Sequence, residues 1–195
     1  MPDLAVFYEH PQWFEPLFGE LGRRGVDYVR IPIQDHTFDP ADPRAPAPVI
    51  LSRLAMSSFL RQPEHALYYS VAALGHWESL GARVINGTGV LAYDLSKARQ
   101  LTLFRSLGLD VPRTRIAHRR EDLPRLAAEI GYPVLVKGNV GGSGAGIIRY
   151  DSPDELAPAA ADGLTPVGVD GVALVQEYVP ARDARVIRCE VLAGE

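Results

Sequence analysis

Apolar and polar positions along this 195-residue chain follow two rhythms, one strand-like and one helix-like, and their alternation lays out the elements in order. Residues 3–8 (DLAVFY) read as a buried strand. An amphipathic helix follows, with Phe14, Leu17, Phe18 and Leu21 on one side and Gly25 beyond its end, and then a strand from Val26 to Ile33. Residues 35–48 (DHTFDPADPRAPAP) hold four prolines and three aspartates, the composition of a surface loop, before a strand at Val49–Leu51. A long helix over Pro63–Leu80 leads through Gly81 to a short strand at Arg83–Ile85. This βαββαβ order predicts a small parallel or mixed α/β domain ending near residue 92.

A second unit begins with Asp94, read as the N-cap of a helix whose Leu95, Ala98, Leu101, Phe104 and Leu107 form an apolar stripe closed by Gly108, with Lys97 in its first turn. Another helix spans Asp122–Ile130 and stops at Gly131. The strands Pro133–Lys137 and Ile147–Tyr150 flank a glycine-rich loop, the layout of a hairpin. Ser152-Pro153-Asp154-Glu155 has the spacing of a capping box with proline at the first helical position, so a short helix is expected there. Residues 157–171, rich in Ala, Gly and Pro, read as a loop. Val172–Val179 and Arg185–Leu192 read as strands, after which Ala193-Gly194-Glu195 opens a turn with no strand behind it. A domain seldom ends by entering a hairpin, so the chain is expected to be the N-terminal portion of a longer protein.

A hydrophobic content of 47% is that of a globular chain able to bury a substantial core. The net charge of −4 gives no general attraction to nucleic acid or to an anionic membrane, so neither is expected as a partner and any anion site must be local. The single cysteine, Cys189, excludes an internal disulfide framework. The N-terminus lacks the basic-then-apolar layout of a signal peptide and no apolar run approaches the roughly 20 residues that span a bilayer, so a cytoplasmic location is expected. The five histidines are scattered without ligand spacing, and none is assigned to a metal.

The basic residues divide into eighteen arginines and two lysines, Lys97 and Lys137. A lysine retained where arginine fills nearly every basic position suggests a target for a compact point charge rather than a planar fork, and a phosphate oxygen is such a target. Lys137 opens the most glycine-dense stretch, VLVKGNVGGSGAG (134–146), where Gly141, Gly142, Gly144 and Gly146 let backbone N–H groups approach an anion closely. Several nucleotide motifs fail on spacing. A P-loop needs a lysine after its glycines, and a Rossmann fingerprint needs a helix where a β-branched strand follows here. A protein kinase places its glycine loop before the strand lysine, and the nucleophile elbow G-x-S-x-G fails at Ala145.

The arrangement that fits is a strand lysine, a glycine-rich hairpin and, about thirty residues later, VALVQEYV (172–179). Here the chain resembles the ATP-grasp superfamily, and within it the branch of glutathione synthetase and the RimK-type glutamate ligases. INGTGVLAYDLSKARQLTLFRSLGLDVPRT (85–114) is similar to that family's asparagine turn and lysine-bearing helix. VLVKGNVGGSGAG matches the lysine strand and phosphate loop, VQEYV the adenine hinge and VIRCEV the strand after it, and VILSRLAMSSF (49–59) resembles an arginine-containing segment of the preceding domain. The resemblance implies an α/β (α+β) fold, with a small pre-ATP-grasp domain over residues 1–92 and a nucleotide-binding ATP-grasp domain over 93–195, incomplete at its C-terminus.

It also implies roles. Lys97 and Lys137 would contact the nucleotide phosphates. The loop Gly141, Gly142, Ser143, Gly144, Ala145 and Gly146 would close over them, with Ser143 either adding a hydroxyl donor or serving only as a small turn residue. Gln176, Glu177, Tyr178 and Val179 would hold adenine, and Asp183 is a candidate for a ribose hydroxyl, although the family's usual acid position is here Val186. Arg188 could face phosphate or the acyl intermediate as a catalytic group, and Arg53 could pair with a substrate carboxylate; an ordinary surface ion pair suits either arginine as well. The implied activity is ATP-dependent carboxylate–amine ligation through an acyl phosphate, with ATP, a carboxylate substrate and an amine acceptor (amino acid, peptide or protein end) as partners. Magnesium is the implied metal, its ligands falling beyond Glu195, so the isolated chain is expected to be inactive. The rival reading is a non-catalytic ATP-binding module or a pseudoenzyme. Substrate identity and oligomeric state are not legible.

Overall fold

The computed structural model describes residues 1–10, 12–61, 66–181, 183, 185, 187 and 189–190. Two four-stranded sheets organise it. The first contains β1 (Leu4–Tyr8), β2 (Tyr28–Pro32), β3 (Val49–Arg53) and β4 (Arg83–Ile85) in the order β2-β1-β3-β4, every pair parallel. Parallel neighbours need crossovers, and α1 (Glu15–Arg23) and α2 (Ala66–Ser79) supply them. They cover opposite faces. Alternation along β1 sends Val6 to Phe14 and Phe18 of the α1 layer, and Ala5 and Phe7 to Leu67, Leu74 and Trp77 of α2. The expected βαββαβ order is the one observed, with β3 two residues longer than its apolar run and β2 ending in a single 3₁₀ turn, Ile33–Asp35.

The second sheet is antiparallel, in the order β5-β8-β6-β7, from β5 (Thr114–Ala117), β6 (Val134–Gly138), β7 (Ile147–Tyr150) and β8 (Ala173–Glu177). Its two faces differ. Val134, Val136, Ala173, Val175 and Ala117 point into an apolar core filled by Leu123, Leu126 and Ile130 of α5 (Leu123–Ile130) and Leu156 of α6 (Pro153–Ala161). The alternate residues Leu135, Lys137, Leu174 and Gln176 point the other way, since directly opposed residues of an antiparallel pair share a face.

Four local expectations are corrected. Asp94 does not cap the lysine helix: it ends a short helix, α3 (Thr88–Asp94), which also runs through the expected division at 92/93. The N-cap of α4 (Lys97–Ser106) is Ser96, whose hydroxyl accepts from Arg99 N–H at 3.2 Å. The apolar stripe of α4 is not buried, since none of its residues is and Phe104 and, just past it, Leu107 are exposed. At Ser152 the capping box is displaced by one residue: Glu155 accepts from Asp151 N–H (2.9 Å), and Ser152 makes no side-chain cap. The stretch read as a loop from 157 is helical to Ala161, because Leu156 and Ala160 are buried against the sheet and outweigh Pro158. Of the strand read at 185–192, residues 186, 188, 191 and 192 lie outside the described residues, and 185, 187, 189 and 190 carry no strand.

Candidate nucleotide site

The site is built where β6 ends. Lys137, on the face away from the core, extends along the sheet and donates from Nζ to Gln176 Oε1 at 2.8 Å; Gln176 Nε2 in turn donates to Thr114 Oγ1 at 3.0 Å. Three strands are thus linked through one glutamine side chain. Leu135 and Leu174 form the floor beside it, with the more open Ile116 and Ile147 at the margins. Burial pushes the Lys137 ammonium below the usual lysine range, and the nearby charge of Lys97 pushes it in the same direction.

Lys97 arrives from the opposite side as the first residue of α4. Its Nζ donates to the main-chain oxygens of Asn139 (3.1 Å) and Gly141 (2.9 Å), the residues that lead into the glycine loop. Burial lowers its pKa too, partly offset by the charge of Asp170. Two ammonium groups that repel each other therefore share one region, a source of strongly positive potential at low dielectric.

In the loop, Gly141, Gly144 and Gly146 have positive φ, as does Ser143 (58°), and Ala145 N–H closes a turn onto Gly142 O at 3.2 Å. Left-handed positions interspersed in a loop are the backbone from which anion-holding concavities of amides are built. Gly142 lies against Ser57, where an added Cβ would come within 3.4 Å, and Val140 is buried in the first core, so the loop is anchored at its root.

At the hinge, Gln176 belongs to the site face and Glu177 is held at the edge, its carboxylate accepting from Arg113 N–H (2.8 Å) and Nε (2.6 Å). That pairing lowers the Glu177 pKa. Tyr178 N–H donates to Pro133 O (3.1 Å), and the Tyr178 ring lies 4.3 Å from the Arg149 guanidinium; Val179 is exposed. Asp183 lies beyond β8 at φ 55°. Arg188 falls outside the described residues.

Arg53 stands apart from the lysines at the carboxyl end of β3, its guanidinium 5.2 Å from the Phe14 ring. It lines a cavity of about 540 Å³ with Asn86, Tyr93, Asp94 and Phe104, in which burial raises the Asp94 carboxyl. The structure thus brings Lys97, Lys137, Gln176 and the glycine loop together and leaves Arg53 in a neighbouring cavity. Sequence reasoning missed Thr114, Asn139, Arg149 and Asp170. Asn139 carried a signal, being a polar residue with no solvent-facing turn to explain it, directly after the lysine strand.

Comparison with known proteins agrees with this geometry. The chain is 33% identical over 129 residues to a probable alpha-L-glutamate ligase of Enterobacter sp. (strain 638), covering 66% of this chain and 42% of the relative. A ribosomal protein bS6–L-glutamate ligase of Escherichia fergusonii matches to the same extent. The chain therefore spans less than half the length of these relatives. A RimK domain ATP-grasp protein from Sphaerobacter thermophilus superposes with a TM-score of 0.69 at 22% identity, over 92% of this chain and 65% of that one, which speaks for the fold alone. The RimK-like ATP-grasp domain matches residues 94–195, just over half of the chain and the segment that carries both lysines, the glycine loop and the hinge, and the chain belongs to that family.

Proposed function

We propose that the protein of which this chain forms the nucleotide-holding part is an ATP-dependent carboxylate–amine ligase that adds glutamate to a carboxylate-bearing peptide or protein end. The observation that carries the reading is that the chain's two lysines act on one region: Lys97 Nζ sits on the root of the glycine loop, and its charge reaches Lys137 at the end of the strand that leads into that loop. Bound ATP would supply the phosphoryl group that activates the carboxylate for attack by the amine.

The residues present fit a triphosphate. Both ammonium groups are desolvated and repel each other, so an anion between them relieves a cost already present in the empty site. Lys97 would exchange its contact with Gly141 O for a phosphate oxygen, and the loop amides would add donors. The floor of Leu135 and Leu174 suits the base, with the main chain of 177–179 as its edge partner. Among the described residues no group of three or more His, Cys, Asp and Glu could hold a metal ion, so they do not by themselves fit a magnesium site. Arg53 and Asp94, of opposite charge in one cavity, suit an amino-acid substrate. The glutamate-ligase relatives favour glutamate as the amine.

Calorimetry with ADP and ATP tests the nucleotide half: saturable binding at one site is expected. On this reading the 195-residue chain holds ATP and completes no ligation alone. ADP release by it that depends on an added carboxylate would show that the reacting centre lies within this chain, and absence of nucleotide binding would remove the reading.

A further inference from the structure

The most heavily used polar side chain near the site belongs to neither lysine. Asn139 is 6% exposed and joins three segments. Its Oδ1 accepts from Ala98 N–H (2.9 Å) and from Ser96 Oγ (3.2 Å), and its main-chain oxygen accepts from Lys97 N–H (3.2 Å) as well as from Lys97 Nζ. Asn139 therefore takes up amides that the start of α4 would otherwise leave unpaired. Its own Nδ2 donates to Asp170 Oδ2 at 2.7 Å, and the other Asp170 oxygen accepts from Val172 N–H at 3.2 Å. The segment bearing Asp170 is pressed onto the end of β6: a Cβ on Gly138 would meet Gly168 N at 2.8 Å, and one on Gly168 would meet Asp170 Oδ1 at 2.3 Å and the amides of Asn139 and Val140 at 3.0 Å. Neither glycine admits a side chain without moving backbone.

We propose that Asp170, acting through Asn139, is the positioning residue of the nucleotide site: it locks the first turn of α4 onto the strand end two residues past Lys137 and fixes the spacing and charge of the lysine pair. The inference rests on the reading of the two lysines as phosphate ligands. Geometry supplies the mechanism. No residue of α4 is fully buried and its packing is against the short helix α3, so its hydrogen bonds to Asn139 set where Lys97 stands. The charged groups around Lys97 are few. Asp170 faces it from the segment before β8 and favours its ammonium form, Lys137 faces it from β6 and opposes it, and Tyr68 of α2 feels the field of Asp170.

With two lysines in the chain, ¹³Cε-lysine labelling gives two assignable resonances, and each ammonium can be titrated by NMR without any nucleotide. In Asp170→Asn, which keeps one of the two acceptors and deletes the charge, the Lys97 midpoint should fall by about one pH unit, a tenfold change in proton affinity, and the Lys137 midpoint should move less. In Asn139→Ala, which leaves the charge in place and cuts the link, hydrogen exchange at Ala98 N–H should accelerate more than tenfold while amides of α5 keep their protection. An unmoved Lys97 midpoint in folded Asp170→Asn, or unchanged Ala98 exchange in Asn139→Ala, overturns the proposal; if the first variant does not fold, the second decides. Adding ADP to the wild type separates the two readings. Shifts of both lysine resonances support the phosphate role, whereas silence on ADP beside the expected midpoint change would leave the clamp standing and remove the nucleotide assignment on which its function depends.

Discussion

The two faces of the antiparallel sheet are made from the same strands yet obey opposite rules. Toward α5 and α6, Val134, Val136, Ala173 and Val175 meet Leu123 and Leu156 in an apolar cluster. Toward the site, alternate residues of those strands place an ammonium, an amide and a hydroxyl in one hydrogen-bonded chain from Lys137 through Gln176 to Thr114. The first face is organised by removing water from apolar surface, the second by polar groups that satisfy one another until a ligand takes over. Stability should therefore reside on one face and binding on the other.

The largest expected effect lies on the covered face. Leu156→Ala deletes a fully buried side chain and should cost about 2–5 kcal/mol of folding stability, read from denaturant unfolding. ADP affinity of the remaining folded protein should stay within about twofold. A large affinity loss without loss of stability would break the division between faces.

The open face should respond the other way round. Lys137→Met removes a desolvated ammonium but leaves Gln176 Oε1 without its partner, so the two effects offset and the stability of the ligand-free protein should change little, while ADP binding weakens roughly ten- to a hundredfold, the loss expected for charge-assisted hydrogen bonds. Equal losses in both measurements would make Lys137 a structural residue.

A smaller effect sharpens the same contrast through pH. Both lysines have native pKa values below the ordinary lysine range, so on alkaline titration the native state releases these protons before the unfolded chain does. The unfolded state then binds more protons, and this contribution to stability rises with pH from the lowered native pKa up to the ordinary value. Nucleotide affinity should fall over that same window as the ammonium groups are lost. Stability and affinity that fall together there would contradict the assignment of the lysines.

Much of this architecture is legible along the chain, for reasons that differ by region. The parallel sheet declares itself because each strand is a short apolar run bounded by turn residues, and both lysines stand out against the arginine background. The partners of the lysines are harder to read. Asn139 and Asp170 are 31 residues apart and acquire meaning only when Gly168 is pressed onto β6. Thr114 meets Gln176 through strand register, which nothing local specifies. The cap of α4 is ambiguous in sequence because Asp94 and Ser96 are both good capping residues two positions apart, and a second helix ending at Asp94 decides between them. Its exposed stripe shows that periodicity reports an apolar face without saying what covers it.

The central claim is that phosphate binds between the two lysines under the glycine loop while the base lies along the end of β8. Amide hydrogen exchange with and without ADP tests it most directly. Residues 143–146, the part of the loop beyond its anchored root, should exchange fast in the ligand-free protein and slow on adding ADP, together with the amides of 176–179. Protection confined instead to the separate cavity of about 510 Å³ lined by His36, Phe38, Asp42 and His76, or no change in either segment at saturating ADP, would contradict it.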